Sequence, residues 1–172
     1  LAQFRDVGIF DAARIIYDDV RGYHQAGCQG IIEVGSQRSF FPNGFAFYTY
    51  ARTLFDTSLS FEDIAEDYLS NIYGEDWRDF YNYLDKLGRA FNFNYLEGEF
   101  SADEERSPYY NPAHAKTLES IPEIIAEGRK LIKSHYNSKR RVQTVSVRLL
   151  EKYLSYVRLY ADAVKKKAEG DE

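Results

Sequence analysis

The stretch Gly30-Ile31-Ile32-Glu33-Val34-Gly35 decides how the rest of this chain is read. Ile31, Ile32 and Val34 form a nearly continuous apolar run closed by glycine at both ends, which suits a strand covered on both faces. A strand has to pair its backbone donors and acceptors with a neighbour. No second stretch of comparable β-character stands elsewhere in the sequence. The strand is therefore expected to pair with something outside these 172 residues, or the chain is a piece of a larger α/β protein.

Working outward, both flanks read as helix. Ile9, Ala12, Ala13, Ile16, Val20 and Tyr23 fall at helical spacing, and Gly27 with the pair Gln29-Gly30 ends that segment. Helix, short turn, strand, loop and helix is the rhythm of an α/β unit. After a loop over 36–42, Asn43 is the expected N-cap of a helix over 44–55. Phe45, Ala46, Phe47, Tyr48, Tyr50, Ala51, Leu54 and Phe55 make that helix apolar almost all round, so it is expected to be buried on several sides.

The remainder is helical in pattern. Ser60 with Asp63 forms a capping box with Asp in the Glu position, and Ile64, Ala65, Tyr68, Leu69 and Ile72 line one face up to Gly74. A further helix starts near the acids Glu75 and Asp76 and carries Trp77, Phe80, Tyr81, Leu84, Leu87 and Phe91. The segment 92–111 is polar and aromatic with little periodicity. Helix resumes after Pro112, and Pro122 with the capping box offered by Ser120 and Glu123 predicts a kink or restart. The last helix is expected over 142–167 with Val145, Leu149, Tyr153, Val157, Tyr160 and Val164 inward.

Composition bounds the function more than it identifies it. Hydrophobic content of 44% and charge of 28% fit one domain with a real core. The net charge of −5 and two short basic runs, 139–141 and 165–167, argue against a nucleic-acid binder. No apolar run approaches the ~20 residues that span a bilayer. One cysteine, Cys28, excludes an internal disulfide framework. The chain opens on Leu1 and contains no Met, which predicts a processed or excised piece. The compositional outlier is aromatic: 15 Tyr, 12 Phe and 1 Trp. Spaced along helices, most of these rings read as packing, although aromatic faces also stack on sugars.

Candidate chemistry is sparse. Glu33 is the one acid inside an apolar strand, where a carboxylate needs a partner such as Arg38 or Arg52 or a functional reason to be there. At the C-terminal end of a barrel strand, Glu33, Gly35, Ser36 and Gln37 would face an active site. Glycoside hydrolysis usually needs two carboxylates, and Asp18 with Asp19, Glu62 with Asp63, and 103–105 all lie in polar surroundings. No complete catalytic pair is identified. His24 with Cys28 does not make a zinc site, and His114 and His135 show no partners in the sequence. No metal or cofactor is expected.

The runs 26–35, Tyr48-Thr49-Tyr50-Ala51-Arg52-Thr53-Leu54-Phe55-Asp56 and Ile72-Tyr73-Gly74 resemble the C-terminal part of the DUF4838 family. These are uncharacterised bacterial proteins that look like glycoside hydrolases related to α-glucuronidases and hexosaminidases. The resemblance covers roughly 15–90, with Phe55 where the family has tryptophan. It implies a mainly α fold of about five to six helices with one short strand, 30–35, near the N-terminus. Residues 1–56 would be the last helix-strand-helix unit of a (β/α) barrel, and 57–172 a C-terminal helical domain packed on it. The catalytic acids would lie on earlier strands outside this chain, so the chain alone is not expected to be active. Glu33, Gln37, Tyr109 and Tyr110 would bind substrate, with Tyr95 also available to the cleft. The implied partners are the missing N-terminal barrel and carbohydrate, with no nucleic acid and no membrane, and the implied location is extracellular or periplasmic. The alternative is a free-standing helical interaction domain whose strand edge pairs across a homodimer or with another protein.

Overall fold

Side-chain caps start three of the helices, at Ser60, Asn92 and Asn111. The computed structural model describes residues 5–32, 41, 44–98 and 109–170. Among them are α1 (Asp11–Gln25), α2 (Gly44–Phe55), α3 (Phe61–Tyr73), α4 (Trp77–Phe91), α5 (Phe93–Glu97), α6 (Pro112–Leu118), α7 (Ile121–Ser134) and α8 (Arg141–Glu169). The protein is mainly helical, and no strand occurs among the described residues.

The strand expected over 30–35 is not seen. Residues 30–32 have no regular structure, and 33–35 lie outside the described residues. Ile31 and Ile32 are exposed, with no neighbouring strand among the described residues to accept a hydrogen-bond ladder. Asn43, expected as the N-cap of α2, also lies outside the described residues.

The capping box on α3 is formed as read: the Asp63 N–H donates to Ser60 Oγ at 3.1 Å, and the Ser60 N–H donates to Asp63 Oδ2 at 3.1 Å. The box expected at Ser120 is not formed. Ser120 has helical backbone angles, and its hydroxyl donates instead to the Thr117 carbonyl at 2.8 Å, binding α6 to α7 in a near-continuous turn.

One hydrophobic cluster runs through all of this, from Val7 to Ala168. α8 is its spine, packing on α3, α6 and α7, while α1 packs chiefly on α2 and α4 on α3 and α7. Val147, Leu150, Leu154, Val157, Ala161, Val164 and Ala168 are the buried stripe of α8. Val145 and Leu149, expected inward, are exposed, because the stripe the core uses begins two residues later.

The start of the described chain is tucked into the core. Val7, Ile9 and Phe10 are buried, and the Tyr153 hydroxyl donates to the Val7 carbonyl at 3.1 Å. Gly8 lies against Gly88 of α4 so closely that a Cβ on Gly8 would sit 2.6 Å from Gly88 Cα. Asp6 is buried beside this contact and caps α1, its Oδ2 accepting from the Ala12 N–H at 2.9 Å.

α2 differs from the sequence expectation in one important respect. Phe45, Ala46, Thr49 and Thr53 are buried against α1 and α3. The other side is covered only in part: Phe47 and Tyr50 are half-buried, while Ala51 and Leu54 are exposed and Phe55 is 87% exposed. The helix is buried on one face rather than on several.

Candidate functional site

α4 ends on Asn92, which adopts a left-handed backbone conformation (φ 49°) and turns the chain sharply. The Asn92 side chain then accepts from the Tyr95 N–H at 3.3 Å and starts α5, and Gly98 (φ 99°) ends it. The chain returns at Tyr109, where the Tyr95 hydroxyl donates to the Tyr109 carbonyl at 2.7 Å. The Asn111 N–H donates to the Ala168 carbonyl at 2.9 Å, and Asn111 Oδ1 caps α6 by accepting from the His114 N–H at 3.0 Å. Pro112 fills the first turn of α6, where no donor is lost. These bonds hold α5, the return segment and the end of α8 together.

A cleft of about 510 Å³ opens between these elements. Its walls include the rings of Tyr95, Tyr109 and Tyr160, and its rim carries Arg5, Glu97 and Lys167. Each ring is fixed from behind. Tyr160 stacks on Phe91 and Tyr156, with centroids 5.7 Å apart in each case, and Tyr95 packs on His114 at 4.4 Å. Lys167 Nζ stands 3.2 Å from the centroid of the Tyr109 ring, a cation on an aromatic face. Arg5 donates to the Leu96 carbonyl at 2.8 Å and lies 3.9 Å from Glu97 Oε1. Flat apolar faces edged by hydroxyls, an acid and two cations can bind a polar ring compound. Glu97 is the one carboxylate among the described residues lining the cleft, so the arrangement binds rather than supplies an acid and a base.

A second groove of about 490 Å³ lies on the other side of α5, with Asp11, Asn92, Asn94, Asn111 and His114 in its lining. Burial raises the Asp11 carboxyl above the usual carboxylate range, and the charge of Asp85 adds to it. Burial lowers His114, whose Nε2 is enclosed without a hydrogen-bond partner. The third groove, also about 490 Å³, is apolar and joins α2 to α8 through Phe41, Phe47, Tyr68, Ile72 and Leu149.

Of the residues the sequence assigned to substrate, Tyr109 lines the aromatic cleft. Its neighbour Tyr110 packs instead towards Gly170, its Cδ2 3.3 Å from where a Cβ on that glycine would stand. Glu33 and Gln37, with Arg38, lie outside the described residues. Arg52, the alternative partner for Glu33, sits 3.9 Å from Asp67. Arg5, Glu97, Tyr160 and Lys167 were not read as site residues. Tyr160 sits on the helical stripe of α8 and reads as core, and Arg5 comes from the far end of the sequence.

His135 has partners that the sequence did not reveal. Nε2 lies 2.9 Å from Asp76 Oδ2, and Nδ1 2.9 Å from the Leu131 carbonyl. Cys28 is exposed, and no group of three or more metal-ligating side chains converges among the described residues. No helix among them is long and apolar enough to cross a membrane. Compared with family models, with curated proteins and with solved structures, the chain matches none.

Proposed function

We propose that this chain is the C-terminal part of a carbohydrate-active, glycoside-hydrolase-like protein of barrel type. Residues 1–56 would complete the barrel, and the helices that follow would buttress it without supplying the catalytic acids. The observation that carries this reading is the outer face of α2. A helix apolar on all sides is normally surrounded. Here Ala51, Leu54 and Phe55 stand exposed on the side away from Phe45 and Thr49, and Ile31 and Ile32 are exposed in the same part of the chain. An α/β unit without its sheet leaves this kind of surface bare. The resemblance to the DUF4838 family in 26–35, 48–56 and 72–74 supports the same reading.

Within that assembly Tyr109, flanked by Tyr95 and Tyr160, would offer stacking faces to a saccharide, with Glu33 and Gln37 binding hydroxyls at the barrel mouth. The reading is tested first on the gene: an uninterrupted coding region for several βα units upstream of Leu1 is expected, and a start codon immediately before Leu1 would sink it. It is tested next on the protein. Leu54→Asp should leave this chain's own stability within about 0.5 kcal/mol, since the residue is exposed here. In the longer protein the same change should lower the thermal midpoint of the barrel. An equal effect in both would leave α2 with no role in docking a sheet.

A further inference from the structure

α8 carries two apolar seams of heptad spacing, and the core uses one of them. The buried seam steps by alternate threes and fours from Val147 to Ala168. Val142, Val145, Leu149, Tyr156, Leu159 and Ala163 follow the same spacing, with Lys152 at the intervening position, and all of them are exposed. Leu159 is 70% exposed. At about 3.6 residues per turn the two seams lie on nearly opposite sides of the helix. The outward face of a helix packed on a core is ordinarily polar. Here it is a bare apolar line of about 30 Å, at ~1.5 Å per residue from Val142 to Ala163.

The spacing identifies the kind of surface that fits. A seam repeating every ~3.5 residues accepts the side chains of another helix, and a strand with its period of two does not match it. Charge narrows the occupant further. Arg141, Arg148, Lys152 and Lys166 lie in or beside the seam on its heptad positions, against the two acids Asp162 and Glu169. The chain as a whole carries −5, so this face runs against the sign of the molecule. Arg148 is held by Asn137 at 3.2 Å and by the Tyr136 ring, while Arg141, Lys152 and Lys166 make no ion pair among the described residues. A second copy of α8 paired about a two-fold axis would bring Lys152 onto Lys152 at the middle of the seam, which disfavours self-pairing.

We propose that the outward seam of α8 docks an amphipathic helix of a partner protein, with an apolar heptad seam flanked by Asp and Glu. Leu149 shares the third groove with Phe47 of α2, but Leu54 and Phe55 do not line that groove, and the proposal does not depend on the barrel.

The test uses the whole chain and two synthetic four-heptad peptides, both with Leu at the seam positions, one with Glu and the other with Lys at the flanking positions. The Glu peptide should bind at least about tenfold more tightly than the Lys peptide at about 0.1 M salt, and the difference should shrink towards 1 M. The double variant Val145→Glu, Leu159→Glu should abolish binding without changing the thermal midpoint, since both side chains are exposed. Leu54→Asp on α2 should leave binding unchanged, which separates this surface from the barrel-docking face. Equal affinity for the two peptides, or binding that survives the double variant, would overturn the proposal. So would a chain that sediments as a dimer dissociated by the double variant, since the occupant would then be a second copy.

Discussion

Gly8 and Gly88 determine how closely the first described turn can approach the core. A Cβ on Gly8 would stand 2.6 Å from Gly88 Cα and 2.8 Å from the Leu84 carbonyl oxygen, and both neighbours are backbone. No side-chain rotation relieves such a clash. Gly8→Ala should therefore cost about 1–3 kcal/mol in urea unfolding, the range for overpacking a close-fitted contact. Gly88→Ala, whose Cβ would meet Gly8 Cα at 3.0 Å, should cost less. Equal stability of Gly8→Ala and the parent chain would mean that the turn can move away from α4. Next to it, Ile9 holds φ at 68°, a conformation that β-branched residues rarely adopt, and it does so while buried.

Asp6 gives the same turn a pH dependence. Burial pushes its carboxyl from 3.8 up to about 7, against the pull of the Ala12 N–H. A carboxyl raised in the folded protein is easier to ionise in the unfolded chain. Its contribution is therefore fully present below 3.8 and is lost as pH climbs to about 7. The slope is at most about 1.4 kcal/mol per pH unit. Asp6→Asn keeps an oxygen for the Ala12 N–H and cannot ionise. Urea titrations at several pH values between 4 and 8 should show a flatter profile in this variant (roughly the full carboxyl range). An unchanged slope would assign the pH dependence to another group.

At the scale of elements, His135 joins the C-terminal end of α7 to the N-terminal end of α4. Burial lowers its affinity for a proton, but the bonds to the Leu131 carbonyl and the Asp76 carboxylate outweigh this, and the net shift is upward. Both ring nitrogens face acceptors at 2.9 Å, and only the imidazolium can donate to both. The stabilisation is present below the ordinary histidine value and is lost as pH rises through the raised one. Asp76→Asn should move the His135 ring titration to lower pH, as read from its NMR shifts. A midpoint that stays in place would mean that the Leu131 carbonyl and the charge of Asp79 carry the effect.

At the scale of the whole molecule, the helical fold was legible wherever one face was apolar and the other polar. α4 is such a case, with Trp77, Phe80, Leu84, Leu87 and Phe91 all buried as read. α8 was legible as a helix, and its inward face was right from Tyr153 onward, where Tyr153, Val157 and Val164 are buried and Tyr160 is half-buried. It was wrong at its start, because Val145 and Leu149 lie on a seam with the same spacing as the buried one. Spacing alone does not tell which seam meets the core. The stretch 30–35 reads as strand because Ile31, Ile32 and Val34 are β-branched, yet its described part, 30–32, forms none, since a strand exists only with a partner to complete its ladder. Tyr109, which the resemblance names, lines a cleft. The cleft itself was not legible, since Arg5, Tyr160 and Lys167 reach it from distant parts of the sequence.

The position of α8 has a consequence for synthesis. The helix that covers α3, α6 and α7 and holds Val7 through Tyr153 is also the last in chain order. A chain is made from its N-terminus at about 5–20 residues per second and folds in units as they are completed. The apolar faces of the earlier helices therefore stay open on the ribosome until Val147 to Ala168 have been translated. Those faces are exposed to self-association for that interval, and a pause in translation before Arg141 would lengthen it.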